Sequence, residues 1–182
     1  LSVGDESGIG PEIILKALYS NEIPENIEYI LVGSKKNLQN TYENLRSLGL
    51  ENLANPKNLK IQDIEICPSN NDPKSSYGDS SFQYLKKAIE IVKQYPNAAL
   101  VTGPICKKSW SLAGHYFSGQ TEVLAKSCSV KNVGMLFTAK SPITGWRFNT
   151  LLATTHIALS EVPKKLTKEL IHSKLDLFKD FC

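Results

Sequence analysis

A histidine in the last third of the chain, His156, follows three apolar residues and two threonines at 151–155. Imidazole binds divalent metals and transfers protons near neutral pH, so a histidine beside hydroxyl groups at the end of a predicted strand suits either role. A histidine held by hydrogen bonds for purely structural reasons fits the same pattern. The residues themselves leave both interpretations open.

Gln120 and Thr121 lie in a polar cluster at 118–122 that precedes an apolar helical segment. An amide and a hydroxyl at a helix N-terminus can hold a phosphate or a substrate hydroxyl through hydrogen bonds. Helix capping by Thr121 explains the same residues equally well. The cluster is therefore either a ligand-binding turn or a plain helix start.

Two lysines, Lys107 and Lys108, follow a Thr-Gly-Pro turn at residues 102–104. A lysine beyond the carboxyl end of a strand can neutralise a substrate phosphate or carboxylate, although plain surface lysines are common at such positions. Cys106 precedes them, but no paired base is visible beside it, which argues against a nucleophile. The turn is thus a candidate for contact with a small anionic substrate.

The glycine-rich segment at 4–10 comes before Pro11, a residue that favours the first turn of a helix. A strand, a loop and a helix N-terminus in this order can bind an anion. The spacing matches neither the dinucleotide-binding motif nor the P-loop, and Glu6 and Glu12 would repel an anion. The segment is more typical of a tight turn that shapes a cleft wall, with Asp5 lining the cleft.

Strands and helices alternate along the first part of the chain, which predicts an α/β fold of the three-layer α/β/α type with a mostly parallel sheet. The apolar run Ala98–Val101 is the candidate central strand and is expected to be buried. A long helix is predicted from Gly78 to about Tyr95. The other predicted strands are 1–3, 27–32 and 59–66.

The pattern changes near residue 120. A helix at 121–128 precedes strands at 133–139 and 146–155, and the tight turn between these two strands predicts antiparallel pairing. A final helix is expected to begin at Pro163. We therefore predict a first α/β domain at residues 1–119 and the beginning of a second α/β subdomain at 120–182.

The composition is that of a globular protein, because 41% of the 182 residues are hydrophobic, 21% are charged and the net charge is +3. This charge is too small to indicate nucleic-acid binding. Four widely spaced cysteines predict free thiols, and the absence of a signal peptide or apolar span makes the cytoplasm the expected location. Leu1 is not an initiator methionine and the last helix has no stop signal, so we expect a truncated chain.

Four segments together resemble the 4-hydroxythreonine-4-phosphate dehydrogenase family of pyridoxal phosphate biosynthesis: GDESGIGPEI at 4–13, TGPICK at 102–107, SGQTE at 118–122 and LLATTH at 151–156. The resemblance implies an isocitrate/isopropylmalate dehydrogenase-like architecture with its active site between two domains. It also implies NAD- or NADP-dependent oxidation and decarboxylation of 4-phosphooxy-L-threonine, assisted by Zn²⁺, Mg²⁺, Mn²⁺ or Co²⁺, in a homodimer with a shared active site.

The resemblance also assigns roles to individual residues. In the family, the histidine of the last motif is one of three metal ligands, so His156 takes that role and the other two lie beyond residue 182. Lys107 matches the catalytic lysine, which would neutralise the substrate's negative charge, and Gln120 and Thr121 match the substrate contacts. The family has histidine where Gln120 stands, so a hydrogen bond is retained there but proton transfer is not. The nicotinamide-binding residues stay unassigned.

Several alternatives accompany this interpretation. Gln120 keeps open a related dehydrogenase that acts on erythronate or threonate phosphate. A protein of a different class, a non-catalytic α/β module that binds a ligand without turnover, also fits the sequence. His115 and His172 lie outside the four motifs and are expected to be solvated rather than to bind metal. Neither a nucleic acid nor a membrane is expected as a partner.

Overall fold

The computed structural model describes residues 1–20, 24, 26–65 and 72–181. Contacts divide the chain into two units, Leu1–Gln120 and Thr121–Cys182. The helices and strands of the first unit are α1 (Gly10–Tyr19), β1 (Leu31–Gly33), α2 (Lys35–Ser47), β2 (Ile61–Asp63), α3 (Pro73–Val92) and α4 (Lys107–Leu112).

The first unit is built on short parallel strands. Strand β1 pairs with β2 in parallel, with Leu31 opposite Ile61. On the other side of β1, Ser2 forms parallel bridges to both Val32 and Thr102. The core between these strands and α1, α2 and α3 consists of Val3, Ile14, Leu15, Leu31, Val32, Leu38, Leu53, Tyr84 and Ala88. The predicted α/β fold with a parallel sheet is confirmed.

The prediction of a buried central strand at Ala98–Val101 is wrong. The structure assigns no strand there, Ala98 and Ala99 are exposed, and 58% of Val101 is accessible to solvent. The segment meets the sheet through a single bridge at Thr102, and its residues line open grooves on the surface. An apolar run predicts burial only where both faces of the sheet are covered, and this run lies at the edge of the described strands.

Helix α3 begins earlier than predicted, at Pro73 rather than Gly78. Asp72 caps it, because its carboxylate accepts a hydrogen bond of 3.0 Å from the amide of Lys74. Gly78 lies inside the helix and allows α4 to approach, since a Cβ atom on Gly78 would lie 2.0 Å from the carbonyl oxygen of Ser109. The glycine therefore marks a close helix contact rather than a helix start. A loop is predicted at residues 67–77; residues 67–71 of it lie outside the described residues, and residues 73–77 are helical instead.

A buried tryptophan fixes the contact between α3 and α4. The Trp110 side chain is 0% exposed, and its indole nitrogen donates a hydrogen bond of 2.8 Å to the hydroxyl of Ser81. Phe82 meets the Trp110 ring edge to face, with 5.3 Å between the ring centroids. Helix α4, which carries Lys107, is thereby fixed on α3.

The described part of the second unit contains a hairpin and three α-helices: α5 (Gln120–Ser127, whose first residue belongs to the first unit), β3 (Leu136–Lys140), β4 (Arg147–Leu151), α6 (Val162–Lys165) and α7 (Lys168–Phe181). Strands β3 and β4 pair antiparallel, as predicted. The prediction of one continuous final helix from Pro163 is wrong, because the helix is interrupted between α6 and α7. Thr167 begins the new helix by accepting a hydrogen bond from the amide of Leu170.

Two remaining expectations concern thiols and membranes. Cys106 and Cys128 are free thiols, whereas Cys67 and Cys182 lie outside the described residues. None of the helices in the described ranges combines the length and apolarity needed to cross a bilayer.

The Gly78 contact predicts the effect of a small substitution. Replacing glycine by alanine inside a helix normally stabilises a protein by about 1 kcal/mol. We expect Gly78→Ala instead to lower the free energy of unfolding by about 1–3 kcal/mol, because the added methyl group overlaps the backbone of α4. Urea unfolding of the full-length protein measures this, with Lys86→Ala on the exposed face of α3 as a control. A more stable Gly78→Ala variant would contradict the contact.

Candidate active site

Two of the sequence motifs meet through backbone contacts at the carboxyl ends of the strands. The amide of Asp5 donates a hydrogen bond of 2.8 Å to the carbonyl of Pro104. The chains approach so closely that a Cβ atom on Gly4 would lie 2.2 Å from the Pro104 oxygen, and one on Gly103 would lie 2.2 Å from the Val3 oxygen. The approach therefore excludes side chains at both glycines.

The Gln120 side chain brings a third motif to this turn. Its amide nitrogen donates a hydrogen bond of 3.1 Å to the carbonyl of Gly103. Because a carbonyl only accepts hydrogen bonds, this contact fixes which end of the amide faces the turn. The other end, Oε1, is buried and has no hydrogen-bond partner among the described residues. A ligand at Gln120 would thus meet a buried acceptor that needs a donor.

The Asp5 carboxylate is used within its own loop. It accepts hydrogen bonds from the amide of Ser7 at 2.9 Å and from the Ser7 hydroxyl at 2.7 Å. Only 7% of Asp5 is exposed. Its role in the described structure is to hold the loop that packs against Pro104.

Glu6 and Tyr84 connect the same loop to helix α3. The Tyr84 hydroxyl donates a hydrogen bond to the Glu6 carboxylate, and Tyr84 is 1% exposed. Burial raises the pKa of Glu6, the Tyr84 hydrogen bond opposes this shift, and the nearby charge of Asp5 adds to it. Burial and the bond to Glu6 raise the pKa of Tyr84. Glu6 is thus a partly buried carboxyl that resists ionisation.

This raised pKa predicts a pH-dependent effect of Glu6→Gln. A carboxyl with a raised folded-state pKa stabilises the protein below its unfolded-state pKa, and this stabilisation is lost as pH rises through the folded-state pKa. Glutamine keeps an acceptor for Tyr84 and cannot ionise. We expect urea unfolding to show Glu6→Gln gaining stability relative to wild type between pH 4 and pH 7.

The exposed Glu65 provides the control for this measurement. Glu65→Gln shows how the loss of one exposed carboxyl group affects stability across the same range. A constant difference between wild type and Glu6→Gln at every pH would contradict the assigned pKa direction.

Lys107 and Lys108 begin helix α4 and are both exposed. Cys106 precedes them. Hydrogen bonds with the side chain of Ser109 and, to a smaller extent, with the backbone of Ser109 lower the pKa of the Cys106 thiol. Lys107 lies shortly after the turn that accepts the Gln120 hydrogen bond, on a helix that Trp110 fixes against α3.

The expectation that His115 is solvated is wrong. Its ring stacks on Phe82 with 3.8 Å between centroids, and its Nε2 atom lies 2.8 Å from the carboxylate of Asp79. Only 19% of the side chain is exposed. Helix α3 presents both partners to the loop after α4, a long-range contact that local sequence does not reveal. His172 is exposed on α7, as predicted.

His156 lies in the second unit, in a turn rather than at a strand end. Strand β4 ends at Leu151, and His156 adopts a left-handed backbone conformation with φ of 53°. The predicted strand is therefore too long. The histidine lines a cavity of about 30 Å³ within this unit, together with Thr121, Glu122, Val133, Gly134, Met135, Leu152, Ala153, Thr155 and Lys174.

The chemistry of this cavity fits part of a metal site. His156 brings an imidazole and Glu122 a carboxylate, both of which are ligand types for divalent ions. The Oε2 atom of Glu122 is buried and has no hydrogen-bond partner within the described ranges. Those ranges contain no group of three or more His, Cys, Asp or Glu residues that could hold a metal. His156 and Glu122 are thus two side chains of ligand type that line this cavity.

The candidate residues are divided between the two units. Lys107 and Gln120 belong to the first unit, and Thr121 and His156 to the second. Thr121 and His156 line the same cavity, and Gln120 joins the turn that precedes Lys107. The sequence interpretation gave no role to Glu122, although its position in the SGQTE segment was visible.

Comparison with known proteins identifies the family. The family model described as "Pyridoxal phosphate biosynthetic protein PdxA" matches residues 25–182. The chain belongs to this family. A protein of Synechococcus sp. (strain RCC307) named 4-hydroxythreonine-4-phosphate dehydrogenase is 44% identical over 184 residues, covering 100% of the chain and 55% of the relative. The chain thus spans about half the length of this curated relative.

A solved structure and a more distant relative extend the comparison. The structure of 4-hydroxythreonine-4-phosphate dehydrogenase from Klebsiella pneumoniae matches with a TM-score of 0.76 and 22% identity, over 99% of the chain and 56% of that structure. This likeness supports the α/β fold. A protein of Oceanobacillus iheyensis, 28% identical over 97% of the chain and 55% of its own length, is provisionally named a D-threonate 4-phosphate dehydrogenase.

Proposed function

We propose that the whole protein is a metal- and NAD(P)-dependent dehydrogenase that oxidises 4-phosphooxy-L-threonine in pyridoxal phosphate biosynthesis. The observation that carries this proposal is the PdxA family match across residues 25–182. The 44% identity to a protein with this printed activity supports it. The contact of Gln120 with Gly103 adds to it, since it brings two of the family motifs together.

The reaction oxidises the secondary alcohol at C3. This carbon loses a hydride, which the nicotinamide accepts when it is bound, and the hydroxyl loses its proton. The resulting 3-oxo acid releases its carboxyl group as CO2 and takes up a proton, which leaves an amino-ketone phosphate. A bound divalent ion, Zn²⁺, Mg²⁺, Mn²⁺ or Co²⁺, would supply positive charge that favours both steps.

Four residues of this chain take roles in the proposal. His156 is one metal ligand, and Lys107 neutralises negative charge on the substrate. Thr121 offers a hydroxyl to the substrate at the start of α5. Gln120 offers its carbonyl oxygen, because its nitrogen is bound to Gly103. The substrate group at Gln120 is therefore a donor, such as a hydroxyl or an ammonium, rather than a phosphate.

The organisation of the whole protein is part of the proposal. We retain a first domain at residues 1–119, the beginning of a second at 120–182, and a homodimer with a shared active site in the cytoplasm. This organisation supplies the remaining metal ligands from sequence beyond residue 182.

His156 provides the most direct test of the metal role. In the full-length protein, His156→Ala should lower metal-dependent NAD(P)H formation from 4-phosphooxy-L-threonine by at least about 100-fold, because one ligand of the ion is removed. His172→Ala is the matched control, since this histidine is exposed on α7. Undiminished activity of His156→Ala would overturn the assignment.

Gln120 tests whether this position only contacts the substrate. Gln120→Leu removes the acceptor, and we expect kcat/KM to fall by at least about 100-fold, because the substrate donor loses its partner. Gln120→His restores a hydrogen-bonding residue of the family type and should retain activity within about tenfold. Steady-state kinetics of the full-length protein measures both. Equal kcat/KM values for wild type and Gln120→Leu would show that Gln120 does not contact the substrate.

An alternative substrate is favoured by two observations. Gln120 replaces the family's histidine, and the relative from Oceanobacillus iheyensis is provisionally named for D-threonate 4-phosphate. Comparing kcat/KM for 4-phosphooxy-L-threonine, D-threonate 4-phosphate and D-erythronate 4-phosphate separates these functions. Binding of all three without NAD(P)H formation would instead indicate a non-catalytic module.

A further inference from the structure

One carboxylate oxygen of Glu122, in the second unit, has no hydrogen-bond partner in the described part of the chain. It lies in the first turn of α5, and its Oε2 atom is buried with no hydrogen-bond partner among the residues that the structure describes. A carboxylate oxygen removed from water loses its hydration, which costs free energy unless a donor or a cation replaces it. Oε2 of Glu122 is therefore a buried acceptor for which the described residues provide no donor.

The cavity beside Glu122 limits what that donor can be. Its volume of about 30 Å³ is enough for a water molecule or an ion but too small for a phosphorylated substrate. Lys174 also lines the cavity, but its ammonium group donates a hydrogen bond to the carbonyl of Val133 and none to Oε2 of Glu122, which has no partner within the described ranges. The remaining nitrogen-bearing side chain on the wall is the imidazole of His156.

His156 needs a partner of this kind. A histidine that binds a metal through one ring nitrogen carries a proton on the other, and that N–H group is usually donated to a carboxylate, a carbonyl or water. The partner fixes the tautomer and the orientation of the ring. The left-handed turn at His156, with φ of 53°, sets the direction of the side chain but not the rotation of the ring.

We propose that Glu122 is a positioning residue for His156, whose ring N–H donates a hydrogen bond to the buried Oε2 atom of Glu122 when the other ring nitrogen binds a divalent ion. This inference rests on the proposed metal-binding role of His156. It assigns the SGQTE segment two separate tasks, with Gln120 directed to the substrate and Glu122 to the metal ligand. The carboxylate also balances part of the positive charge that the ion brings to the cavity.

The test measures the affinity of the full-length protein for Zn²⁺ alone, by competition with a chromophoric chelator. Loss of such a partner typically weakens metal binding by about 10- to 100-fold, which is the result expected for Glu122→Ala. Glu122→Gln keeps a carbonyl acceptor of the same shape and should recover part of that loss. Glu169→Gln, at an exposed position in the first turn of α7, should bind Zn²⁺ as wild type does.

A second readout separates positioning from general loss of structure. Nitrogen-15 spectra of the histidine rings in the Zn²⁺ form should show one tautomer of His156 in wild type and in Glu122→Gln. In Glu122→Ala, the protonated nitrogen of His156 should lose the signature of a hydrogen bond to a carboxylate. If Glu122→Ala does not fold, the Zn²⁺ affinity of Glu122→Gln tests the inference, because it should still fall below that of wild type.

The outcomes also distinguish this inference from the proposed function. If His156→Ala abolishes Zn²⁺ binding while both Glu122 variants bind as wild type does, the positioning role is overturned and the metal role of His156 stands. If His156→Ala binds Zn²⁺ as tightly as wild type, both the metal role and the positioning role are overturned. Weaker binding in both variants, with partial recovery in Glu122→Gln, supports the inference.

Discussion

The close backbone approach between residues 3–5 and the turn at 103–104 is the constraint on which the first unit depends. Two glycines permit it, since a Cβ atom at Gly4 or Gly103 would lie 2.2 Å from a carbonyl oxygen of the other segment. The approach leaves the Gly103 carbonyl as the acceptor for the Gln120 amide. Parallel strands end at the same edge of a sheet, so this single contact gathers three sequence motifs where α/β proteins bind ligands.

The second unit differs from the first in having a carboxylate oxygen, Oε2 of Glu122, that is buried without a hydrogen-bond partner among the described residues. Its described residues bury little apolar surface, with Val123 at 3% exposure as their buried hydrophobic side chain. Apolar and polar residues line its cavity in equal number, and Glu122 is among the polar ones. Such a group is costly in an isolated protein and useful beside an imidazole that binds a cation. The Oε2 atom of Glu122, unpartnered among the described residues, lowers the stability of the fold, whereas the positioning role proposed for Glu122 needs that oxygen to be free to accept a hydrogen bond.

Local sequence predicted what local physics controls. The parallel pairing in the first unit and the antiparallel pair β3 and β4 follow from the alternation of strands with helices and from a tight turn. The family and the candidate ligand His156 followed from motif resemblance. The predictions that were wrong concern features that contacts between distant residues determine. Ala98–Val101 lies at a sheet edge, Gly78 allows the close approach of α4, and His115 packs against α3. The spacing of residues along the chain contains none of these contacts.

The most direct test of the central claim is amide hydrogen exchange in the full-length protein, comparing wild type with Gly103→Ala. The added methyl group cannot fit against the Val3 carbonyl, so the two segments must separate. We expect the Asp5 amide, which donates to the Pro104 carbonyl, to exchange at least about 100-fold faster, while the amides of β3 and β4 are unchanged. Unchanged protection of Asp5 in Gly103→Ala would show that other contacts hold the loop against the turn.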